Sequence, residues 1–257
     1  MQKLFRTISL ACLIGALITL PVLMSGKGKK DVNVHVKELA STVNNSSAMA
    51  IEAEASSLYD ALALSGDINI KTLVYALKGF KYLQANGRLA DSNILAIADM
   101  SQSSRNKRLY IIDVKNKKLL YNTYVAHGRN SGSEYATSFS NDIDSHKSSL
   151  GFYVTSNTYT GSHGLSLRIE GVEKGFNDRA LERAIVVHGA NYMGDHFLRN
   201  SPFSGRSWGC PAVPASETAT VINMIKNGSC LFIYHPTQKY LQQSAILNAP
   251  LDFQFQG

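Results

Sequence analysis

The 257-residue chain is poor in cysteine, with three, and in charge, with 18% Asp, Glu, Lys and Arg. The first scarcity excludes a scaffold held together by many disulfides. The second, beside 44% hydrophobic residues, describes an ordinary globular protein rather than a disordered or fibrous one. No nucleic-acid motif appears and no basic stripe interleaved with aromatics, so the net charge of +7 does not mark a nucleic-acid surface. A His-x-x-x-His pair is also missing, which argues against a helix-borne metal site. A chain of this length buries a full core and has room for one large domain plus a smaller helical part.

What is present begins with a leader. Lys3 and Arg6 precede an apolar run from Ile8 to Met24, and Ser25-Gly26 come next. This is the charged and apolar pattern of a secretory signal. The Ala-x-Ala cleavage pattern is absent near Ser25, and the run is long enough to remain as an uncleaved anchor over 8–24. Cys12 sits too early for a lipoprotein acceptor, with Ser9 where a branched aliphatic residue is expected, and reads as part of the apolar run. Removing residues 1–26 takes Lys3 and Arg6 and no acid, so the formal charge falls to +5. That modest excess suits an anionic partner such as a cell wall or membrane surface. Lys27, Lys29 and Lys30 supply much of it at the mature terminus.

The patterning divides the chain into four segments. Residues 1–26 are the signal peptide or anchor. Residues 27–50 are polar, with Ser41 to Ser47 free of apolar periodicity apart from Val43, and read as a linker with a short helix near Lys37 to Ala40. Residues 51–92 form a helical N-terminal part. Leu58 and Leu62 recur at helical spacing, then Leu73, Leu77, Phe80 and Leu83, with Asp67 and Asn69 as caps and Asn86-Gly87 as the stop. From about residue 93 to 257 the period changes to that of strands: Ile94–Ala98, Arg108–Val114, Lys118–Val125, Leu150–Thr155, Ser166–Glu170, Arg183–Val187 and Cys230–Tyr234. Lys115-Asn116-Lys117 is a hairpin turn, and one helix opens near Pro214 and closes at Asn227-Gly228. The fold class is mainly β with a small N-terminal helical part.

Two cysteines remain past the leader. Cys230 lies in a buried-strand pattern, where a lone thiol behaves as a small hydrophobe, so both are left reduced. Cys210 sits in Arg206-Ser207-Trp208-Gly209-Cys210-Pro211-Ala212. Gly209 frees the amides around the thiol to face a developing oxyanion, and the helix opening near Pro214 lowers the thiol pKa. Upstream, Val186-Val187-His188-Gly189 ends a β-branched run in a histidine. His127-Gly128 and His163-Gly164 repeat that context. A histidine base and a cysteine on facing segments are the parts of nucleophilic catalysis.

These residues resemble the catalytic signature of the murein L,D-transpeptidases of the YkuD-type fold. The resemblance runs through Val125 to Gly132, Phe139-Ser140-Asn141, Ser148 to Gly151 and His163 to Leu167, covering roughly 67–235. It implies a β-sandwich-like catalytic fold, export to the periplasm or cell envelope, and no cofactor or metal. The family's nucleophile falls on Cys210 and its base on His188, with its serine and glycine on Ser207 and Gly209. Better-known members carry histidine where Trp208 stands, and the resemblance implies a backbone carbonyl near that position as the third catalytic group. They also carry arginine where this chain has Pro211-Ala212-Val213, and Arg206 or Arg168 is then left to replace its charge. His127, Arg129, Asn130, Phe139, Asn141, His163 and Ser166 are the expected cleft wall.

The implied activity is a peptidoglycan L,D-transpeptidase. The cysteine forms a thioester with the stem peptide, D-alanine leaves, and an amine on a second stem or a lipoprotein takes the acyl group. The alternatives are an L,D-carboxypeptidase using water, a metal-dependent hydrolase built on His127, His163 and His188 with Asp195-His196 nearby, and a non-catalytic murein-binding module.

Overall fold

A computed structural model describes the backbone of residues 28–63 and 68–250, with side chains from Asn45 onward. The expected leader and Asp67 lie outside the described residues. Two compact units divide in sequence between Ser41 and Thr42. In the first, the described residues are helical from Gly28. The second holds the sheet and the helices that cover it. Among the described residues no helix is long and apolar enough to cross a membrane.

Helix α1 spans Gly28–Leu62, so the expected linker over 27–50 is helical from its second residue. The reason is local. Past Gly28 no Gly or Pro interrupts the segment, and Ser and Asn disfavour a helix only weakly beside a strong apolar stripe. That stripe is Ile51, Ala55, Leu58 and Leu62, all buried and spaced to share one face. Helix α2 (Ile70–Ala85) is capped by Asn69, whose side chain accepts the Lys71 amide at 2.8 Å. It buries Leu73, Ala76, Leu77, Phe80 and Leu83.

Eight strands form one mixed sheet: β1 (Ile94–Asp99), β2 (Leu109–Asp113), β3 (Lys118–Thr123), β4 (Gly151–Gly161), β5 (Gly164–Gly171), β6 (Val186–Ala190), β7 (Ala212–Pro214) and β8 (Cys230–Tyr234). Their order is β3-β2-β1-β8-β4-β5-β6-β7. The β1–β8 and β6–β7 pairs are parallel and the rest antiparallel. The mainly β body with a small helical part in front is therefore present. Every residue of β8 is buried, as a central strand covered on both faces requires. Phe152 and Phe232 stack at 4.1 Å between centroids. Helix α2 packs on β1 and β8, and α4 (Thr218–Ile225) on β1, β5 and β6.

The structure departs from the sequence reading where local backbone overrides side-chain pattern. The strand expected from Arg183 starts only at Val186, because Ala184 takes φ +51° and breaks the extended run. The helix expected at Pro214 opens instead as a 3-10 turn, Ala215–Glu217, and becomes α-helical at Thr218. Strand β7 is three residues long and ends in Pro214, a composition that reads as a loop. Helices α3 (Asp195–Leu198) and α5 (Gln238–Gln243) are too short to leave a period.

Candidate active site

The β6–β7 edge of the sheet brings the expected dyad together. His188 pairs in parallel register with Ala212, two residues past Cys210, and the His188 amide donates to Pro211 O at 3.4 Å. Both Cys210 and Cys230 are free thiols. The Cys210 sulfur accepts the Val186 amide at 3.5 Å and lies 3.8 Å from Ala184 O. His163, Arg183, Ala184, His188, Tyr192, Arg206, Ser207, Trp208 and Cys210 line one cavity of about 420 Å³. None of these lining residues is acidic.

His188 is buried, and its Nδ1 lies 2.9 Å from Gly189 O. A carbonyl only accepts, so Nδ1 carries the proton and Nε2 keeps its lone pair. This corrects the expectation that a carbonyl near Trp208 orients the base. Any side chain at Gly189 would force its neighbours to shift, since an added Cβ meets Thr218 Oγ1 at 2.1 Å and Ala215 Cα at 3.3 Å. The His163 ring, at the tip of the β4–β5 hairpin, lies 4.4 Å from the His188 ring with a 38° tilt.

Electrostatics give an uncharged resting pair. Burial lowers the His188 pKa below 6.5; the Gly189 carbonyl opposes this and His163 adds to it. Burial raises the Cys210 thiol above 9.0, offset in part by the Val186 amide and the Arg183 charge. The expected depression of the thiol pKa by a helix end is therefore overturned. Desolvation dominates, and the backbone donors to the sulfur are the Val186 amide and its own.

The loop before Cys210 is fixed from inside. Ser207 Oγ donates to Cys210 O at 2.6 Å and accepts the Gly209 amide at 3.0 Å. The Gly209 amide is thus engaged by Ser207 Oγ, contrary to its expected oxyanion role, and the Cys210 amide faces its own sulfur. Gly209 sits at φ +121°, a conformation L side chains rarely adopt. An added Cβ there meets Lys147 O at 2.8 Å. Trp208 is 69% exposed and stacks on His146 at 4.9 Å.

The L,D-transpeptidase catalytic domain model matches residues 64–234. This chain belongs to that family. No curated protein matches the sequence. Among solved structures, the chain is similar to an L,D-transpeptidase from Mycobacterium smegmatis, at 11% identity and TM-score 0.35, covering 56% of this chain and 59% of that one. It is similar to L,D-transpeptidase 3 from Mycobacterium tuberculosis at 11% identity and TM-score 0.37, covering 56% of this chain and 61% of the other. A further L,D-transpeptidase from Mycobacterium tuberculosis H37Rv shares 14% identity at TM-score 0.31, covering 56% and 58%. This chain thus spans roughly three fifths of the length of each.

Within this family member, only His163 and Arg206 of the expected substrate residues border the Cys210 cavity. Arg129 lines an adjoining cavity of about 430 Å³ that shares Arg206 and Trp208. His127 is turned into the core, with Nδ1 2.8 Å from Arg108 Nη2, and burial and that cation lower its pKa to about 4. The three-histidine metal alternative is therefore not formed: among the described residues no three His, Cys, Asp or Glu side chains converge on an ion. Asp195 accepts the Tyr124 hydroxyl at 2.6 Å.

Ser166 is buried and bonds Gly164 O; it pairs in antiparallel register with His188, so the two side chains share one face of the sheet, although Ser166 does not line the Cys210 cavity. Asn130 bonds Ser145 O, and Asn141 bonds Asp178 and the Arg179 amide. Phe139 packs on His235 and lines, with Asn141, a separate cavity of about 360 Å³. Arg168 stacks over Tyr159 at 4.4 Å, away from the thiol cavity. The cation that sequence reasoning missed is Arg183. Its guanidinium donates to Ser140 O, Ser145 Oγ, Ser149 Oγ and Lys147 O and shares the cavity of Cys210. Tyr192 was missed as well. Neither lies in a recognisable motif, and only the fold brings them to the site.

Proposed function

We propose that this chain is a peptidoglycan L,D-transpeptidase with Cys210 as nucleophile and His188 as base. The observation that carries the reading is a free thiol and an imidazole with a bare Nε2 lining one cavity, the imidazole's other nitrogen held by Gly189 O. His188 Nε2 takes the Cys210 proton as sulfur attacks the stem-peptide carbonyl before the terminal D-alanine. The Cys210 amide donates to the developing oxyanion, an interaction worth roughly 3 kcal/mol in comparable sites. Collapse of the intermediate breaks the peptide bond, and His188 returns the proton to the departing D-alanine amine. An amine on a second stem, or on a lipoprotein, then attacks the thioester. His188 accepts its proton and the thiol is regenerated. Water as acceptor gives the carboxypeptidase outcome from the same intermediate. Arg183 and Arg206, with no acid beside them in the cavity, suit a substrate bearing carboxylates. Export to the periplasm or envelope, by the leader over 1–26 or with 8–24 as an anchor, belongs to the same reading.

The test is intact-protein mass spectrometry with murein tetrapeptide together with D-alanine release. Wild type forms an acyl adduct on Cys210. Cys210→Ala and His188→Ala keep the fold and lose at least about 10⁴-fold in turnover, as for other nucleophile–base pairs. Full D-alanine release by Cys210→Ala ends the proposal.

A further inference from the structure

Arg108, just before β2, is fully buried; the buried Asp99 carboxylate acts on it through space, but no carboxylate forms a direct ion pair with it among the described residues. Its Nε and Nη2 donate to Val125 O at 3.1 and 3.0 Å, its Nη1 to Gln102 O at 2.8 Å, and its Nη2 to His127 Nδ1 at 2.8 Å. Burying an unpaired guanidinium costs several kcal/mol of lost hydration, and an apolar residue of similar size is commonly as stable or more so. Stability alone does not account for a cation here. What it grips is the short segment Val125–His127.

The cysteine loop docks on that segment. Ala126 N donates to Ala212 O at 2.8 Å, Ser207 N to His127 O at 3.0 Å, and Arg129 N to Ser207 O at 2.7 Å. Ser207 Oγ in turn holds the Gly209 amide and Cys210 O. A second path joins His127 Nε2 to Gly132 O at 3.4 Å, and Arg206 Nη1 reaches the same oxygen at 3.0 Å. Both ends of the segment Ser207–Ala212 are therefore tied to the residues that Arg108 holds.

We propose that Arg108 is a positioning residue for Cys210, acting through the His127 ring and the Val125–His127 backbone. The proposal rests on Cys210 being the nucleophile. Arg108 touches neither substrate nor sulfur. It fixes the height and direction of the loop that carries the thiol toward His188.

Three variants test it. His127→Leu keeps the bulk and removes the acceptor. His127→Asn keeps an acceptor oxygen near the Nδ1 position. The double variant Arg108→Met with His127→Leu removes both buried polar groups together. Each is measured for kcat and KM of D-alanine release, for the rate of Cys210 alkylation by iodoacetamide, and for Tm. His127→Leu and the double variant are expected to lose about 100-fold in kcat with little change in KM, as a small misplacement of a reacting group does. Alkylation should slow in step. His127→Asn should recover most of both rates, and the double variant should hold its Tm.

A folded His127→Leu with wild-type kcat and alkylation overturns the proposal. So does a His127→Asn no better than His127→Leu, or a loss of rate found only where Tm has fallen. A wild type that releases no D-alanine fails the transpeptidase reading instead, and the alkylation series still decides the role of Arg108.

Discussion

The centre of the sheet and its β6–β7 edge use the same side chain to opposite ends. In β8, Cys230 is fully buried among Leu95, Leu231 and Phe232, and its thiol is pushed far up by burial. The buried Glu173 carboxylate adds to that rise. At the edge, Cys210 also sits under a desolvation penalty, but with a cation, an amide and an imidazole around the same cavity. The difference lies in what faces the sulfur, because both thiols are deprived of water. Burial alone makes a thiol inert; burial beside a poised base makes it conditional on that base.

Substitutions that strike one region and spare the other sharpen the contrast. Outside the Cys210–His188 pair itself, the largest effect is expected at Gly209. Alanine there must hold φ near +121° and place a methyl 2.8 Å from Lys147 O, so the loop has to move. Turnover should fall by about 100-fold or more, while the Cys230 thiol stays as protected from alkylation as in wild type. Mass mapping of alkylated peptides checks both.

Next in size is the pH dependence of stability. His127 has a folded pKa of about 4 against an ordinary 6.5, lowered first by burial and then by Arg108 and Arg206, with the Gly132 and Ser133 backbone opposing. Between pH 6.5 and 4 the unfolded chain binds the proton and the folded chain does not, so stability falls as pH drops. The contribution, roughly 3 kcal/mol, is fully present above the unfolded pKa and is lost as pH falls through the folded one. Urea unfolding across the range from neutral pH down to the folded pKa should show this slope, and His127→Asn should flatten it. A slope unchanged by that substitution places the loss elsewhere.

The smallest effect belongs to Cys230→Ala, which leaves a cavity of one sulfur in a rigid strand. It should cost about 1 kcal/mol in urea unfolding and leave kcat unmoved. A loss of activity there would erase the distinction between centre and edge.

Much of this layout was legible in the chain. Short, largely apolar runs bounded by turn residues marked β1, β2, β3 and β8, and the stripes of α1 and α2 announced their buried faces. The pairing of His188 with Cys210 was expected from a strand-end histidine, a cysteine in a glycine turn, and the resemblance to the L,D-transpeptidases. The three His-Gly steps show where such reading ends. His127, His163 and His188 share a local context, yet one meets a buried arginine, one caps a hairpin and one lines the thiol's cavity. Strand direction and register decide which, and these are set by pairings tens of residues away. Arg108 and Arg183 were invisible as functional groups for the same reason. Strand β7 hid because proline is rare in strands. The polar half of α1 hid because its helicity leans on the apolar stripe of its C-terminal half.

The uncharged resting state of Cys210 has a chemical consequence of its own. Peroxides and other soft oxidants attack the sulfur anion far faster than the protonated form. On the proposed role of Cys210, a sulfur that burial keeps protonated until an acyl carbon is seated beside it would be shielded from oxidation to sulfenic or sulfinic acid between turnovers.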